Sequence, residues 1–390
     1  MVTGILFDAD IRNGGSYQMS INNLLELKKS FSNANIKFII FTHEKSYILD
    51  SLNIDYEIIK LSILDYIYIF LINTSLFKYL INKFNFYSLF EKKLASKNVS
   101  EIIFLFTSYK SFLLKKIKYI STVLDVCHRD FPEFEEVGNF KTFFFREYLN
   151  NKTLPLSFLI ITESEELKDK IVKLYQLDSN KIIAIPNLPS KIISDNENYL
   201  INNVKEKYNI KNDFYFYPAQ FWKHKNHIVI LKCLEKLKKQ GINLHFVFCG
   251  RDKGYLKYIK KKIIDYKINE NIKILDYVED EELLLLYKLC KALVMPTYFG
   301  PTNIPPVEAW YLNVPVVYSS NLKNHGKEAA LYFAPDSEDE LIQQLKNLDS
   351  LNIKKNLVLN GQKRLKEIIK ERNENIEKFI KEVAIMNSNI

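Results

Sequence analysis

Cysteine is scarce in this 390-residue chain: Cys127, Cys233, Cys249 and Cys290 are the four, far apart and with no C-x-x-C pair. That spacing argues against a structural zinc site and for a reducing compartment. An uninterrupted run of about 20 apolar residues is also missing. The one tempting segment, LSILDYIYIFLINTSLFKYLINKF from Leu61, is broken by Asp65, Asn73 and Lys78, which argues against a clean membrane span. No pronounced arginine cluster and no recognisable nucleic-acid module occurs, so the chain's formal charge of +9 does not by itself indicate DNA or RNA. Met1 leads directly into VTGILFDAD, a strand-like start and not a signal peptide, so the protein is expected in the cytoplasm. Glycine and proline are sparse, with 10 and 11 residues, yet one Gly and four Pro gather in PTYFGPTNIPPVEAW, Pro296 to Trp310.

What is present is globular: 47% hydrophobic and 26% charged residues support a packed protein. The length exceeds one ordinary core and suggests two domains. The positive charge fits either scattered solvated lysines, or a phosphate-bearing substrate or anionic membrane. Around the interrupted apolar segment, aromatics from Tyr66 to Phe90 interleave with Lys78, Lys83, Lys92 and Lys93. Such a face suits an anionic bilayer, or else the buried helices of an aromatic-rich core.

Short β-branched runs alternate with longer amphipathic ones, the pattern of parallel α/β units. GILFD, IKFIIFT, EIIFLF, ISTVLDV, FLIITES and KIIAIP read as strands of a first half. The polar stretch KIISDNENYLINNVKEKYNIKND reads as a linker followed by a short helix. The rhythm then restarts with FYFYPAQ, NLHFVFCG, IKILDYV, ALVMPT, VPVVYSS and ALYFAP. Two doubly wound domains are expected, residues 1–190 and 191–370, with a helix over about 371–390 packing back on the first. Ligands are expected at strand carboxyl ends and in a crevice between the domains.

Three features converge in the second half. YPAQFWKHKNH places Lys225 at a strand-to-helix junction, an anion site beside helix amides or a solvated basic loop. FVFCGRDKGY ends a strand in Cys249-Gly250-Arg251, where glycine lets the backbone approach a ligand or simply makes a turn. In the third, Pro305 and Pro306 suit a helix start. The amides of Thr302, Asn303 and Ile304 are then left for an anion or a sugar hydroxyl. Glu308, placed inside the first turn, can accept from ribose hydroxyls or complement the helix dipole.

Together these residues resemble retaining nucleotide-sugar glycosyltransferases of the GT-B fold, glycosyltransferase family 4 (group 1), over about Phe214 to Pro335. The resemblance implies two Rossmann-like domains facing a central cleft. In that family a Glu-x7-Glu signature ends where Glu308 stands, on the nucleotide ribose. Its first glutamate falls on Gly300, so that acid is missing. The family's diphosphate-binding Arg and Lys fall on Gln220 and Lys225. By the same resemblance Gly250, Arg251, Tyr277, Val278, Thr302, Asn303 and Ile304 line the donor. More loosely, STVLDVCHRDFPEF resembles the His-Asp-Leu segment of these enzymes. Leu124 takes the histidine position, Asp125 matches, and His128 and Arg129 follow on the acceptor side. RNGGSYQ resembles the glycine loop, bringing Gly14 and Gly15 to the diphosphate.

The resemblance implies hexosyl transfer with retention, mannosyl among the candidates, from an NDP-sugar to a glycan or lipid-linked acceptor in bacterial lipopolysaccharide O-antigen or capsule assembly. No metal or cofactor is expected, the nucleotide-sugar being a co-substrate, and the enzyme would work peripherally on the inner face of the plasma membrane. Asp125, His128, Lys225 and Glu308 are the catalytic candidates. Two rivals remain. One is a non-catalytic, membrane-associated GT-B-like scaffold, favoured by the changes at Gly300 and Leu124. The other reads Asp8-Ala9-Asp10 as a metal-dependent phosphatase start, or as the Asp-x-Asp of a GT-A glycosyltransferase.

Overall fold

A computed structural model describes residues 2–8, 15–190, 204–276, 278–300 and 302–388. The chain forms two compact units. The first is Met1–Asp130, Asn139–Pro186 and Glu371–Ile390; the second is Phe131–Gly138 and Asn187–Lys370. The short excursion Phe131–Gly138, which the sequence reading left inside the first domain, thus belongs to the second.

The first unit is built on a parallel sheet in the order β3-β2-β1-β4-β5-β6-β7. Its strands are β1 (Val2–Leu6), β2 (Phe38–Thr42), β3 (Glu57–Ile58), β4 (Val99–Phe104), β5 (Lys118–Val123), β6 (Leu159–Thr162) and β7 (Ile182–Ala184). Strands of a parallel sheet are covered on both faces, which is why they read as unbroken apolar runs. One face buries Ile5, Leu24, Phe31, Ile103 and Ile120, the other Leu6, Phe41, Phe90, Ile102 and Phe104. Helix α1 (Gly15–Asn33) follows β1.

The segment that tempted a membrane span is a bent pair, α2 (Ile63–Ile72) and α3 (Ser75–Lys83). Asp65 is buried because it caps α2. Its Oδ2 accepts from the Ser62 amide at 2.9 Å, and its Oδ1 from the Phe90 amide at 2.9 Å. Among the described residues no single helix is long and apolar enough to cross a membrane, and residues Ile63–Ile72 and Ser75–Ile81 meet at 114°. Helix α4 (Phe140–Thr153) and helix α5 (Glu165–Tyr175) complete the parts of this unit used below.

The second unit repeats the plan with six parallel strands in the order β10-β9-β8-β11-β12-β13. These are β8 (Tyr215–Pro218), β9 (Phe246–Cys249), β10 (Ile272–Leu275), β11 (Leu293–Met295), β12 (Val316–Ser319) and β13 (Leu331–Phe333). Helices α6 (His227–Lys239), α7 (Leu256–Asp265), α8 (Asp280–Leu289) and α9 (Ile304–Tyr311) lie between successive strands, and α10 (Glu338–Asn347) follows β13. In both units the strand order reverses beside the first strand, between β1 and β4 and between β8 and β11. Such switch points are where open α/β sheets bind ligands.

The last helix, α11 (Leu351–Ser388), serves both cores. Leu357, Leu365 and Ile368 join the second, while Ile376, Phe379, Val383 and Met386 join the first. Gly361 lies against the Trp310 ring, where an added Cβ would meet Cδ1 at 2.7 Å. Where α11 enters the first unit, the buried Arg372 donates to the Pro186 carbonyl and to Asn23 Oδ1.

Candidate functional site

The switch point of the second unit gathers two of the three sequence features. The turn after β8 runs Ala219-Gln220-Phe221-Trp222 and closes as a short 3-10 turn, Lys223–Lys225. The loop after β11 runs from Pro296 to α9. His224 ties them together. Its carbonyl accepts from the Tyr298 amide at 3.0 Å, and its ring stacks on Phe299 with centroids 4.1 Å apart and 15° between planes. Lys225 is therefore fixed between β8 and β11, and its own carbonyl accepts from the buried Tyr217 hydroxyl at 2.7 Å. Gln220 sits one turn earlier, its Oε1 accepting from the Trp222 indole at 3.2 Å.

Helix α9 begins at Ile304, with Pro305 and Pro306 in its first turn where amide hydrogens are dispensable. Among the described residues no hydrogen-bond acceptor meets the amides of Asn303 and Ile304, so the helix start keeps two donors for a ligand. Thr302 Oγ1 accepts from Asn187 Nδ2 at 2.9 Å, and Asn303 Nδ2 donates to the Gly300 carbonyl and the Tyr318 hydroxyl. Glu308 lies in the second turn of α9, not the first as the sequence suggested, because Ile304 and not a proline opens the helix. It is buried, and its Oε2 accepts from the Tyr287 hydroxyl at 2.8 Å. Ser190 also hydrogen-bonds to it. Burial pushes its pKa up despite these donors, with Asp280 adding to the rise. A carboxylate held this way is an acceptor kept in a low-dielectric site.

Gly300, at the position of the missing acid, has φ of +125°, and an added Cβ would lie 2.7 Å from Asn303 Oδ1. The loop geometry that frees the α9 amides thus requires glycine here. Gly250 is also obligatory. An added Cβ would come within 2.3 Å of the Ala219 carbonyl oxygen. This close approach is between the ends of β8 and β9. Arg251 follows it on the surface, its carbonyl accepting from the Phe221 amide at 3.0 Å. Val278 is buried in the core. Tyr277 and Gly14 lie outside the described residues, and Gly15 is the first residue of α1.

In the first unit Asp125 follows β5 at its carboxyl end. Its Oδ1 accepts from the Cys127 amide at 2.9 Å and from the Arg146 guanidinium at 2.6 Å. Burial opposes ionisation, but Arg146 outweighs it and holds the carboxyl below its ordinary pKa. His128 is turned inward by the helical turn Cys127–Asp130 and has no exposed surface. Its Nε2 meets Glu147 Oε1 at 2.7 Å and its ring edge meets Phe143. Burial, then Arg146, depress its pKa. The structure therefore places the His128 side chain in the interior of this unit, unlike Asp125. Arg129 pairs with both oxygens of Glu147 on α4, and Tyr175 also donates to that carboxylate at 2.9 Å. Burial works against this carboxylate, yet Arg129, His128 and Tyr175 bring Glu147 to about 2.

Of the rival Asp-x-Asp reading, Asp8 is ion-paired with Lys110 Nζ at 2.6 Å and Asp10 lies outside the described residues. Among the described residues no group of three or more His, Cys, Asp or Glu side chains is placed to hold a metal ion.

Two parallel α/β sheets with these switch points define the GT-B glycosyltransferase fold. Residues 201–330 match the family described as glycosyl transferases group 1. The chain is 32% identical over 194 residues to the O-antigen chain mannosyltransferase RfbU of Salmonella typhimurium; the match covers 49% of this chain and 51% of RfbU. The chain thus spans about half the length of that relative. Among solved structures it resembles a glycosyltransferase from Rickettsia africae, with a TM-score of 0.73, 14% identity and coverage of 100% and 99% of the two chains. It also resembles HepE of Anabaena in complex with UDP-glucose, with a TM-score of 0.70, 12% identity and coverage of 98% and 100%.

Proposed function

We propose that this chain is a retaining hexosyltransferase, with mannosyl the first sugar to test. It would move the sugar from a nucleotide diphosphate to a glycan or lipid-linked acceptor in bacterial O-antigen or capsule assembly. The observation that carries the reading is the β8–β11 switch point. There the Lys225 turn and the open amides of Asn303 and Ile304 are locked together by His224, with buried Glu308 one turn further along α9. RfbU's name gives the mannosyl and O-antigen parts of the proposal, and the HepE complex gives the nucleotide-diphosphate part.

In this reading Glu308 accepts from the ribose hydroxyls. Lys225 and the α9 amides stabilise charge on the departing diphosphate as the glycosidic bond to it breaks. Asp125, held ionised by Arg146, is a poor base at neutral pH and a good acceptor, so its role is to orient a sugar hydroxyl. Metal independence belongs to the same reading, because the lysine and the helix amides supply the positive charge. Calorimetric titration with UDP- and GDP-sugars, then NMR of the product's anomeric configuration with and without EDTA, tests it. Binding of no nucleotide-sugar refutes the donor site. An inverted product or EDTA-sensitive turnover refutes the corresponding part. Binding without turnover on any acceptor favours the scaffold.

We propose further that the first unit rests on an anionic membrane. Ile63, Phe70, Leu76 and Tyr79 on α2 and α3, and Phe140, Phe144 and Phe145 on α4, are all more than half exposed. The Tyr148 hydroxyl of α4 donates to Asn73 Oδ1 just past the end of α2, which ties the two groups of residues together. Lys83 Nζ lies 5.8 Å from both the Tyr79 and Phe84 rings, pairing cation with aromatic as an anionic interface demands.

A further inference from the structure

The excursion Phe131–Gly138 leaves the first unit's chain after Asp130, packs within the second unit, and returns at Asn139. Its aromatic residues join the β11–α9 loop. Phe131 stacks on Phe299 with centroids 5.0 Å apart, and Phe134 meets Phe299 edge-on at 5.5 Å and Tyr298 at 5.1 Å. Its end is sterically fixed, since a Cβ on Gly138 would lie 2.0 Å from the Pro132 carbonyl oxygen. Between these anchors the segment delivers one carboxylate to the donor side. Glu136 Oε1 accepts from the His224 amide at 3.0 Å and from His224 Nδ1 at 2.8 Å. Both side chains are about nine-tenths buried, at 10% and 11% exposure.

A carboxylate only accepts, so Nδ1 carries the proton and the ring orientation is set by Glu136. The same oxygen fixes the backbone of the residue immediately before Lys225. Phe299, held by the same excursion, precedes Gly300 and the open end of α9. Burial favours the neutral acid, but the two His224 donors outweigh it and keep the Glu136 pKa below the ordinary value. Glu136 therefore stays an anion at neutral pH without touching any position assigned to the donor.

We infer that Glu136 is the positioning residue of the diphosphate site: it orders the turn that carries Lys225, and so acts on the phosphates and not on the nucleoside. This rests on the donor-site reading above. It means that a stretch of sequence embedded in the first domain's half of the chain completes the second domain's site.

The test exploits that separation. The full chain is titrated calorimetrically with UDP and uridine, and with GDP and guanosine, and the affinity gained from the diphosphate is read as the ratio within the pair that binds. Glu136→Ala is expected to lower that ratio about tenfold, the loss of preorganisation of one cationic turn, while nucleoside affinity stays unchanged. Glu136→Gln keeps an accepting oxygen but loses the charge assistance, and is expected to lower the ratio about threefold. In a Lys225→Ala background Glu136→Ala is expected to change the ratio no further, because both act on one contact. A folded Glu136→Ala protein with an unchanged ratio overturns the inference; if that variant does not fold, an unchanged ratio in Glu136→Gln does so. Equal weakening of nucleoside and nucleotide likewise overturns it, since that is the mark of a general structural defect. If Lys225→Ala itself leaves the ratio intact, the donor-site reading falls and the inference with it. If Lys225→Ala lowers the ratio and Glu136 variants do not, only the inference falls.

Discussion

Replacing Glu308 separates a donor contact from a packing anchor, because the two roles predict opposite effects on stability. The carboxylate is buried, and its raised folded-state pKa means the folded protein binds this proton more tightly than the unfolded chain. Its contribution to stability is complete below the ordinary value of 4.5 and is lost as pH rises through the raised one. Above that raised value the ionised carboxylate is therefore a cost to the fold. Glu308→Gln removes the charge and keeps an oxygen for the Tyr287 hydroxyl, so its Tm at pH 7.5 is expected to match or exceed the wild type. That advantage should vanish at pH 4. Glu308→Ala instead leaves Tyr287, itself fully buried, with an unpaired hydroxyl, at a cost of about 1–3 kcal/mol. For function, losing two charge-assisted bonds to ribose hydroxyls costs about 3–4 kcal/mol, or about 100- to 1000-fold in donor affinity. Glu308→Gln should lose about tenfold. Differential scanning calorimetry across pH, beside nucleotide titration, reads both quantities. A Glu308→Gln protein that is clearly less stable at pH 7.5 yet binds nucleotide normally would refute the reasoning.

Three further outcomes follow from local geometry. Gly300→Glu, which restores the family's first acid in the sequence, is expected to lower stability by about 1–3 kcal/mol without raising activity. The cause is the strain of a side chain at φ +125° against Asn303, and a gain in turnover would contradict the geometry. Gly250→Ala should cost about 2–4 kcal/mol by thermal melt, since its Cβ meets the Ala219 carbonyl and the ends of β8 and β9 must part. Paired Phe70→Asp and Phe144→Asp substitutions should abolish co-flotation with phosphatidylglycerol vesicles while leaving nucleotide binding intact. Equal flotation with purely zwitterionic vesicles would argue against the anionic surface.

The second unit's site was legible for a topological reason. Buried parallel strands write unbroken apolar runs, so the ends of β8 and β11, and the turns leaving them, can be located from residue pattern alone. The proline pair marked the start of α9 to within one residue, and that one residue moved Glu308 into the second turn. Partners distant in sequence were not legible. Nothing in FPEFEEVG distinguishes Glu136 from Glu133 or Glu135, because its role depends on a histidine 88 positions away. Gly250 could be marked as special from its place at a strand tip. Whether it faced a ligand or the neighbouring strand depended on packing that no local pattern records. Ser190 and Tyr287, the partners of Glu308, carried no signal at all.

The segment LDVCHRD shows how a single helical turn decides which of two candidates reaches the surface. Asp125 leaves β5 at the carboxyl end of the sheet, and its carboxylate is about one-third exposed beside Arg146. His128 lies three residues later, one turn around, and faces Phe143 and Glu147 in the interior. Their substitutions should accordingly part company. Asp125→Asn keeps an oxygen for the Cys127 amide and breaks a partly exposed ion pair, worth about 1 kcal/mol or less, so the protein should fold and bind nucleotide normally while turnover collapses. His128→Ala opens a space beside Phe143 and removes one donor from a buried carboxylate that still holds Arg129 and Tyr175. It should lower stability by about 2–4 kcal/mol, yet leave kcat of the folded fraction close to wild type. Thermal melts give the first quantity, and turnover per nucleotide-binding site gives the second. If His128→Ala instead loses turnover at full stability, the imidazole must reach the reacting sugar, and the inward orientation of this turn is not the working one.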